Sequence, residues 1–184
     1  MKEWFDNKSI AIIGNAKSLF DKTYGDEIDA HDVVIRINKG IEVCTQPINT
    51  KSHGKKVDVW CFNLYSSLEN FDNTMKKQLP QTYKRLQMNY SPLTSKFDSS
   101  ITEKSISEIK NIFAPKKITT GFRMLHYITK FQTKSVTIYG FDWKETPTYY
   151  MNYRSTADAS HDYRKEKEYC FKHYFNTGKF ILKS

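Results

Sequence analysis

Apolar residues fall in short bursts separated by polar stretches, and the bursts come in two periods. Ile10–Ile13 and Val33–Ile37 are continuous apolar runs of strand length, as expected for strands buried on both faces. Val57–Phe62 and Ser135–Tyr139 read the same way, with a weaker candidate at Lys84–Met88. Helical spacing appears instead in Ser105–Phe113, through Ile106, Ile109, Ile112 and Phe113. It appears again in Gly121–Phe131, through Phe122, Leu125, Ile128 and Phe131. A last helix is expected to end near Tyr174, capped by Asp158 or Ser160, with Tyr163, Cys170 and Tyr174 facing inward. The tail FNTGKFILKS offers one short edge strand.

Strands alternating with helices predict an α/β fold with a mostly parallel central sheet and helices on both faces. The span from Asn63 to Ser100 is polar and is expected to mix short helices with loops. Lys144–Ser160 has few aliphatic residues and reads as a long loop, either a lid or binding loop or a plain surface loop. A chain of 184 residues, 39% of them hydrophobic, suits one domain spanning 1–184. No apolar run approaches the roughly 20 residues needed to span a bilayer. The start MKEWFDNKS lacks the apolar core of a signal peptide, so a cytoplasmic location is expected.

Charge narrows the partners less than it first suggests. The formal net charge of +9 attracts anions in general, whether nucleic acid, phosphorylated substrates or an acidic membrane face. The lysines are dispersed, and the densest cluster, Arg164–Glu168, alternates in sign as a solvated helix face does. No nucleic-acid-binding signature is present, so no nucleic-acid partner is expected. Three scattered cysteines, Cys44, Cys61 and Cys170, form no CxxC pair and read as structural thiols in a reducing compartment.

The candidate chemistry sits at strand and helix ends. Gly14-Asn15 follows the first strand, where a glycine allows close backbone approach to a ligand. The second strand ends with Arg36 and Asn38, and carboxyl ends of strands are where open α/β sheets bind nucleotides. There is no GxGxxG and no GxxxxGK[ST], so Gly14-Asn15 taken alone reads as a plain turn. Thr119-Thr120-Gly121 stands before a helix and is either an ordinary N-cap or an anion contact. His161 lies at the mouth of the last helix, five residues before Glu166, and histidine is the side chain suited to take a proton from a hydroxyl. No DxD, HExxH or GxSxG pattern occurs, and no metal or cofactor is expected.

Taken in order, these pieces resemble glycosyltransferase family 29, the sialyltransferases, in a short form of bacterial or viral type. Ile10–Gly40 resembles the long sialylmotif, with its end at HGKKVDVWCFN. Ile118–Trp143 resembles the short motif, and His161 with Glu166 the very short one. The resemblance implies a GT-A-like Rossmann fold and metal-free, inverting transfer of a 2-keto acid sugar, sialic acid or Kdo, from its CMP donor to a glycan or lipid-linked oligosaccharide. It implies that Gly14, Asn15 and Asn38 meet the CMP moiety, with Ser18 where many members carry another asparagine. Thr119, Thr120 and Gly121 would meet the cytidine part, and His161 would be the general base, with Glu166 and Arg36 supporting.

Three departures stand out against the family pattern. Ile10 and Thr129 replace the cysteines of the animal-type disulfide, in keeping with a cytosolic chain at the inner membrane face. Thr148-Tyr149-Tyr150 stands where the family has His-Tyr-Tyr, which loses a phosphate ligand unless Tyr149 or Tyr150 takes its place. That loss leaves a catalytically inactive CMP-binding protein as the alternative. The chain is also much shorter than animal members.

Overall fold

The computed structural model describes residues 1–63, 68–79, 82–88, 99–100, 106–150 and 160–183. Among these residues seven strands form one sheet: β1 (Ser9–Ile13), β2 (Val33–Ile37), β3 (Val59–Phe62), β4 (Lys84–Gln87), β5 (Ser99–Ser100), β6 (Ser135–Tyr139) and β7 (Phe180–Lys183). Their spatial order is β5-β4-β3-β2-β1-β6-β7. All six pairings are parallel, including the short edge strand in the tail. The chain therefore runs outward from β1 to β5 on one side, then returns to lay β6 against the other side of β1. That reversal opens a crevice at the carboxyl ends of β1 and β6, where doubly wound sheets hold their ligands.

Among the described residues, seven α-helices connect or cover the strands: α1 (Lys2–Phe5), α2 (Gly25–Asp29), α3 (Thr50–His53), α4 (Leu68–Gln78), α5 (Ser107–Phe113), α6 (Thr120–Ile128) and α7 (Tyr163–His173). The period of two along β1 divides the core. Ile10 and Ile12 pack with Ile109, Phe122, Leu125 and Cys170 on one face, while Ala11 and Ile13 pack with Leu19, Ile28 and Tyr139 on the other. Both faces of the inner strands are buried, which is why they read as continuous apolar runs.

Several boundaries differ from the sequence expectation. α6 begins at Thr120 and stops at Ile128, not Phe131, where the Thr129 hydroxyl donates to the His126 carbonyl (2.7 Å). α5 begins at Ser107, while Ser105 lies outside the described residues. α7 is capped by Asp162, whose side chain accepts the Lys165 N–H, rather than by Ser160. Asp158, the other proposed cap, and much of the expected Lys144–Ser160 loop lie outside the described residues. The charged run Arg164–Glu168 is not wholly solvated, because Glu166 is only 1% exposed. It stands three residues after Tyr163 and four before Cys170, so helical geometry carries it to the inward face. The expected inner face of α7 is otherwise right at Cys170 and Tyr174, both buried.

One core histidine ties stability to pH. His53 is buried at the end of α3, with its ring 4.3 Å from that of Phe20 and its Nδ1 2.7 Å from the Ser52 hydroxyl. Burial first, and then the neighbouring Arg36 cation, lower its pKa from 6.5 to about 4. The unfolded chain therefore takes up a proton before the folded one does. This contribution to stability is intact above pH 6.5 and is lost as pH falls toward about 4. Thermal unfolding across this range should show the loss in wild-type protein, and His53→Gln should flatten that component.

Candidate functional site

The crevice at the switch point holds a cavity of about 140 Å³. Its floor comes from the ends of three neighbouring strands. After β1 the chain turns at Gly14, whose N–H donates to the Tyr139 carbonyl (2.8 Å). A Cβ at Gly14 would lie 2.3 Å from the Gly140 carbonyl oxygen, so only glycine lets the ends of β1 and β6 approach this closely. Asn15 follows, its amide nitrogen donating to the Ile37 carbonyl at the end of β2 (3.1 Å). Its Oδ1 is buried and has no protein partner among the described residues. A side chain at Gly40 would strike that oxygen at 2.4 Å.

Asn38 stands just past β2 with a left-handed backbone (φ 50°), a conformation asparagine tolerates better than most residues. Its Oδ1 accepts the Asn63 N–H (3.2 Å), and its carbonyl accepts the Trp60 indole N–H (2.7 Å). The turn is thereby fixed from β3, with Asn38 on the cavity wall.

The opposite wall is the start of α6. Thr119 is the N-cap, its hydroxyl oxygen accepting the Phe122 N–H (3.1 Å). Glu166 of α7 holds this cap from behind: one carboxylate oxygen accepts the Thr119 N–H (2.7 Å) and the other its hydroxyl (2.8 Å). Burial outweighs these two bonds and pushes the Glu166 pKa up to about 7. Thr120 and Gly121 complete the wall, and a Cβ on Gly121 would meet the Phe141 ring at 2.7 Å.

A strap after β6 closes the site. Thr148 bridges antiparallel to Ala16, the Lys17 N–H donates to the Pro147 carbonyl (2.9 Å), and the Tyr149 N–H donates to the Asn15 carbonyl (3.0 Å). Thr148 and Tyr150 line the cavity while Tyr149, in the turn between them, does not. The Tyr149 hydroxyl instead bonds the Lys39 carbonyl and the Glu42 carboxylate. The Thr148 hydroxyl is buried without a protein partner among the described residues.

His161 precedes α7 and pairs with Lys117 in a parallel bridge. Its Nδ1 lies 2.8 Å from the Lys117 carbonyl, which can only accept, so in the neutral ring Nδ1 carries the proton and Nε2 the lone pair. The ring is 5.7 Å from that of Tyr163, which lines the cavity.

The structure thus gathers Gly14, Asn15, Asn38, Thr119, Thr120, Gly121, Tyr150 and Glu166 around one space, with His161 beside it. Three expected residues stand elsewhere, Tyr149 as described and two more. Ser18 lies in a 3-10 turn, its N–H donating to the Thr146 hydroxyl (3.4 Å). Arg36 is fully buried toward α3, where its guanidinium donates to the carbonyls of His53 (2.7 Å) and Lys56 (2.9 Å). It holds the chain after α3 against β2 and does not line the cavity, because it stands inside the strand rather than past its end. Sequence reading missed Phe141, Asp142, Trp143, Lys144 and Tyr163 as lining residues. The first four follow Gly140, and treating the end of Ser135–Tyr139 like the ends of the first two strands would have found them. Among the described residues, no three His, Cys, Asp or Glu side chains gather closely enough to hold a metal ion.

Comparison with known proteins agrees with this geometry. The sequence model of glycosyltransferase family 29 (sialyltransferase) matches residues 6–96. No curated protein matches the chain in sequence. Among solved structures it is similar to a mammalian sialyltransferase in complex with Gal-beta-1-3GalNAc-ortho-nitrophenol. The identity there is 16% and the TM-score 0.65, over 99% of this chain and 71% of that one. It is also similar to the sialyltransferase CstII from Campylobacter jejuni in complex with a substrate analogue, cytidine-5'-monophosphate. There the identity is 16% and the TM-score 0.62, over 96% of this chain and 85% of that one. CstII in complex with CMP-3FNeuAc matches at 18% identity and a TM-score of 0.59, over 95% of this chain and 78% of that one. At these identities the likeness is one of fold. With the family match over the first half of the chain and the sialyltransferase fold over nearly all of it, the chain belongs to glycosyltransferase family 29, the sialyltransferases.

Proposed function

We propose that the chain transfers a 2-keto acid sugar, sialic acid or Kdo, from its CMP donor to a glycan hydroxyl, with inversion and without a metal. One observation carries this reading: residues from all three motif regions line a single cavity at the switch point of the sheet. Asn15 and Asn38 reach it from the ends of β1 and β2, Thr119–Gly121 from the N-terminus of α6, and Glu166 from α7.

The roles follow from the chemistry at each position. The amide of Asn15, the free N–H groups at the start of α6 and the Thr120 hydroxyl suit the ribose and phosphate of a nucleotide. His161 takes the proton of the acceptor hydroxyl on Nε2. The acceptor oxygen then bonds the anomeric carbon from the face opposite the nucleotide. The bond from that carbon to the phosphate oxygen breaks, and CMP departs with the electron pair. CMP is already a good leaving group, so hydrogen bonds to its phosphate and a base for the acceptor are the main requirements.

A glycan or lipid-linked oligosaccharide at an anionic membrane surface suits the +9 charge of the chain. Among the described residues, no helix is long and apolar enough to cross a membrane. The alternative, nucleotide binding without transfer, is motivated by Thr148, whose buried hydroxyl stands where the family has a histidine.

Titration calorimetry with CMP, repeated in EDTA, tests the donor site: binding should be saturable and unchanged by the chelator. CMP release from CMP-sialic acid and CMP-Kdo, measured with an acceptor panel, then separates the two readings. Background release with every acceptor, from a protein that binds CMP, would leave the inactive alternative. A strict need for Mg²⁺ or Mn²⁺ would sink the metal-free scheme.

A further inference from the structure

The strap that closes the cavity touches the segment after β2 in two places, and both contacts use Lys39. This residue follows Asn38 in a 3-10 helix that runs Asn38–Thr45. Its carbonyl accepts the Tyr149 hydroxyl. Its side chain reaches the next residue of the strap, where the ammonium stands 5.8 Å from the centre of the Tyr150 ring. Tyr150 lines the cavity, so this contact sets an ammonium beside the ligand space.

That ammonium keeps most of its bonding capacity. It has three donors, and one aromatic face occupies only the side turned toward it. Lys39 is exposed, and among the described residues no carboxylate pairs with it. The nearest candidate in sequence is Glu42, three residues on and therefore eclipsed with Lys39 in a 3-10 helix. Glu42 instead accepts the Tyr149 hydroxyl (3.0 Å).

A CMP-activated 2-keto acid sugar brings two anions to this space. The phosphate suits the N–H groups at the start of α6. The other anion is the carboxylate on the anomeric carbon, which stays ionised at neutral pH and which ordinary hexoses lack. Lys39 follows Asn38, on the wall that faces α6, so the cation stands across the cavity from the phosphate donors. One ammonium meeting the carboxylate there would separate this class of donor from other sugars.

We propose that Lys39 binds the carboxylate of the 2-keto acid sugar and selects that class of donor. The assignment rests on the nucleotide reading above. The carboxylate carries the same charge before and during transfer, so the contact should act on donor KM rather than on kcat.

The test is calorimetry with CMP, CMP-3FNeuAc and CMP-Kdo on wild-type protein, Lys39→Gln and Lys39→Arg. In Lys39→Gln, affinity for whichever CMP-sugar the wild type binds should fall about fivefold, between the value of an exposed ion pair and that of a charge-assisted hydrogen bond. Affinity for CMP should not change, and Lys39→Arg should keep most of the affinity for the CMP-sugar. In turnover, Lys39→Gln should raise donor KM by a similar factor with kcat preserved. An equal loss for CMP and CMP-sugar, or no loss for either, overturns the assignment and leaves the nucleotide reading standing. Wild-type protein that binds CMP but neither CMP-sugar does the same. Wild-type protein that binds none of the three overturns both.

Discussion

His161→Ala should lower kcat by about 10²-fold or more and leave the affinity for CMP nearly unchanged, as expected when a general base is removed. The geometry supports that division of labour. The ring lies outside the cavity lining, beside Tyr163, and is oriented by the Lys117 carbonyl on Nδ1. It is placed to meet an acceptor rather than to hold the nucleotide. The bridge between Lys117 and His161 joins the strand of chain entering α6 to the one entering α7, so base and N-cap are set by the same contact. Steady-state kinetics with calorimetry on the same variant provides the check. A rise in KM with kcat preserved would contradict the role of His161 as base.

Glu166→Ala should be the most damaging substitution around the cavity for stability and donor binding together. It leaves the half-buried Thr119 N–H without its acceptor, which costs about 1 kcal/mol or more, and empties the buried space that the Glu166 side chain fills. The N-cap of α6 loosens, so CMP affinity should fall along with the urea midpoint. Glu166→Gln separates charge from shape. Because burial raises the carboxyl pKa from 4.5 to about 7, the folded state holds its proton at pH values where the unfolded chain has lost it. The stabilising contribution is full below about pH 4.5 and is lost as pH rises through about 7. Glu166→Gln should remove that slope. The His53 contribution runs the other way over an overlapping range, so each must be read as a difference between variant and wild type. Equal pH slopes in wild type and Glu166→Gln would contradict the account of the carboxyl group.

Local patterns carried much of the fold. Runs such as Val33–Ile37 are apolar at every position because both sheet faces are covered, and that condition is visible in the sequence itself. Helical spacing found α5 and α6 for the same reason, although α6 ends three residues early where a threonine side chain competes for a helix carbonyl. The order of motifs pointed to Asn15, Asn38, Thr119–Gly121 and His161, and these gather at one crevice. Glu166 was named as a supporting residue, yet it also lies inside a run that reads as a solvated face. Its burial depends on which side of α7 meets α6, and alternating charge does not encode that.

Arg36, Tyr149 and Lys144 mark the boundary between the two kinds of information. All three are polar residues in or close to the motif regions, equally eligible as ligands when only spacing is known. Arg36 is turned toward carbonyls after α3, Tyr149 toward Lys39 and Glu42, and Lys144 is carried to the cavity by a left-handed turn. Periodicity records which residues are apolar and therefore which elements form. The direction of a polar side chain depends instead on partners distant in sequence, and those partners are fixed only once the sheet has assembled.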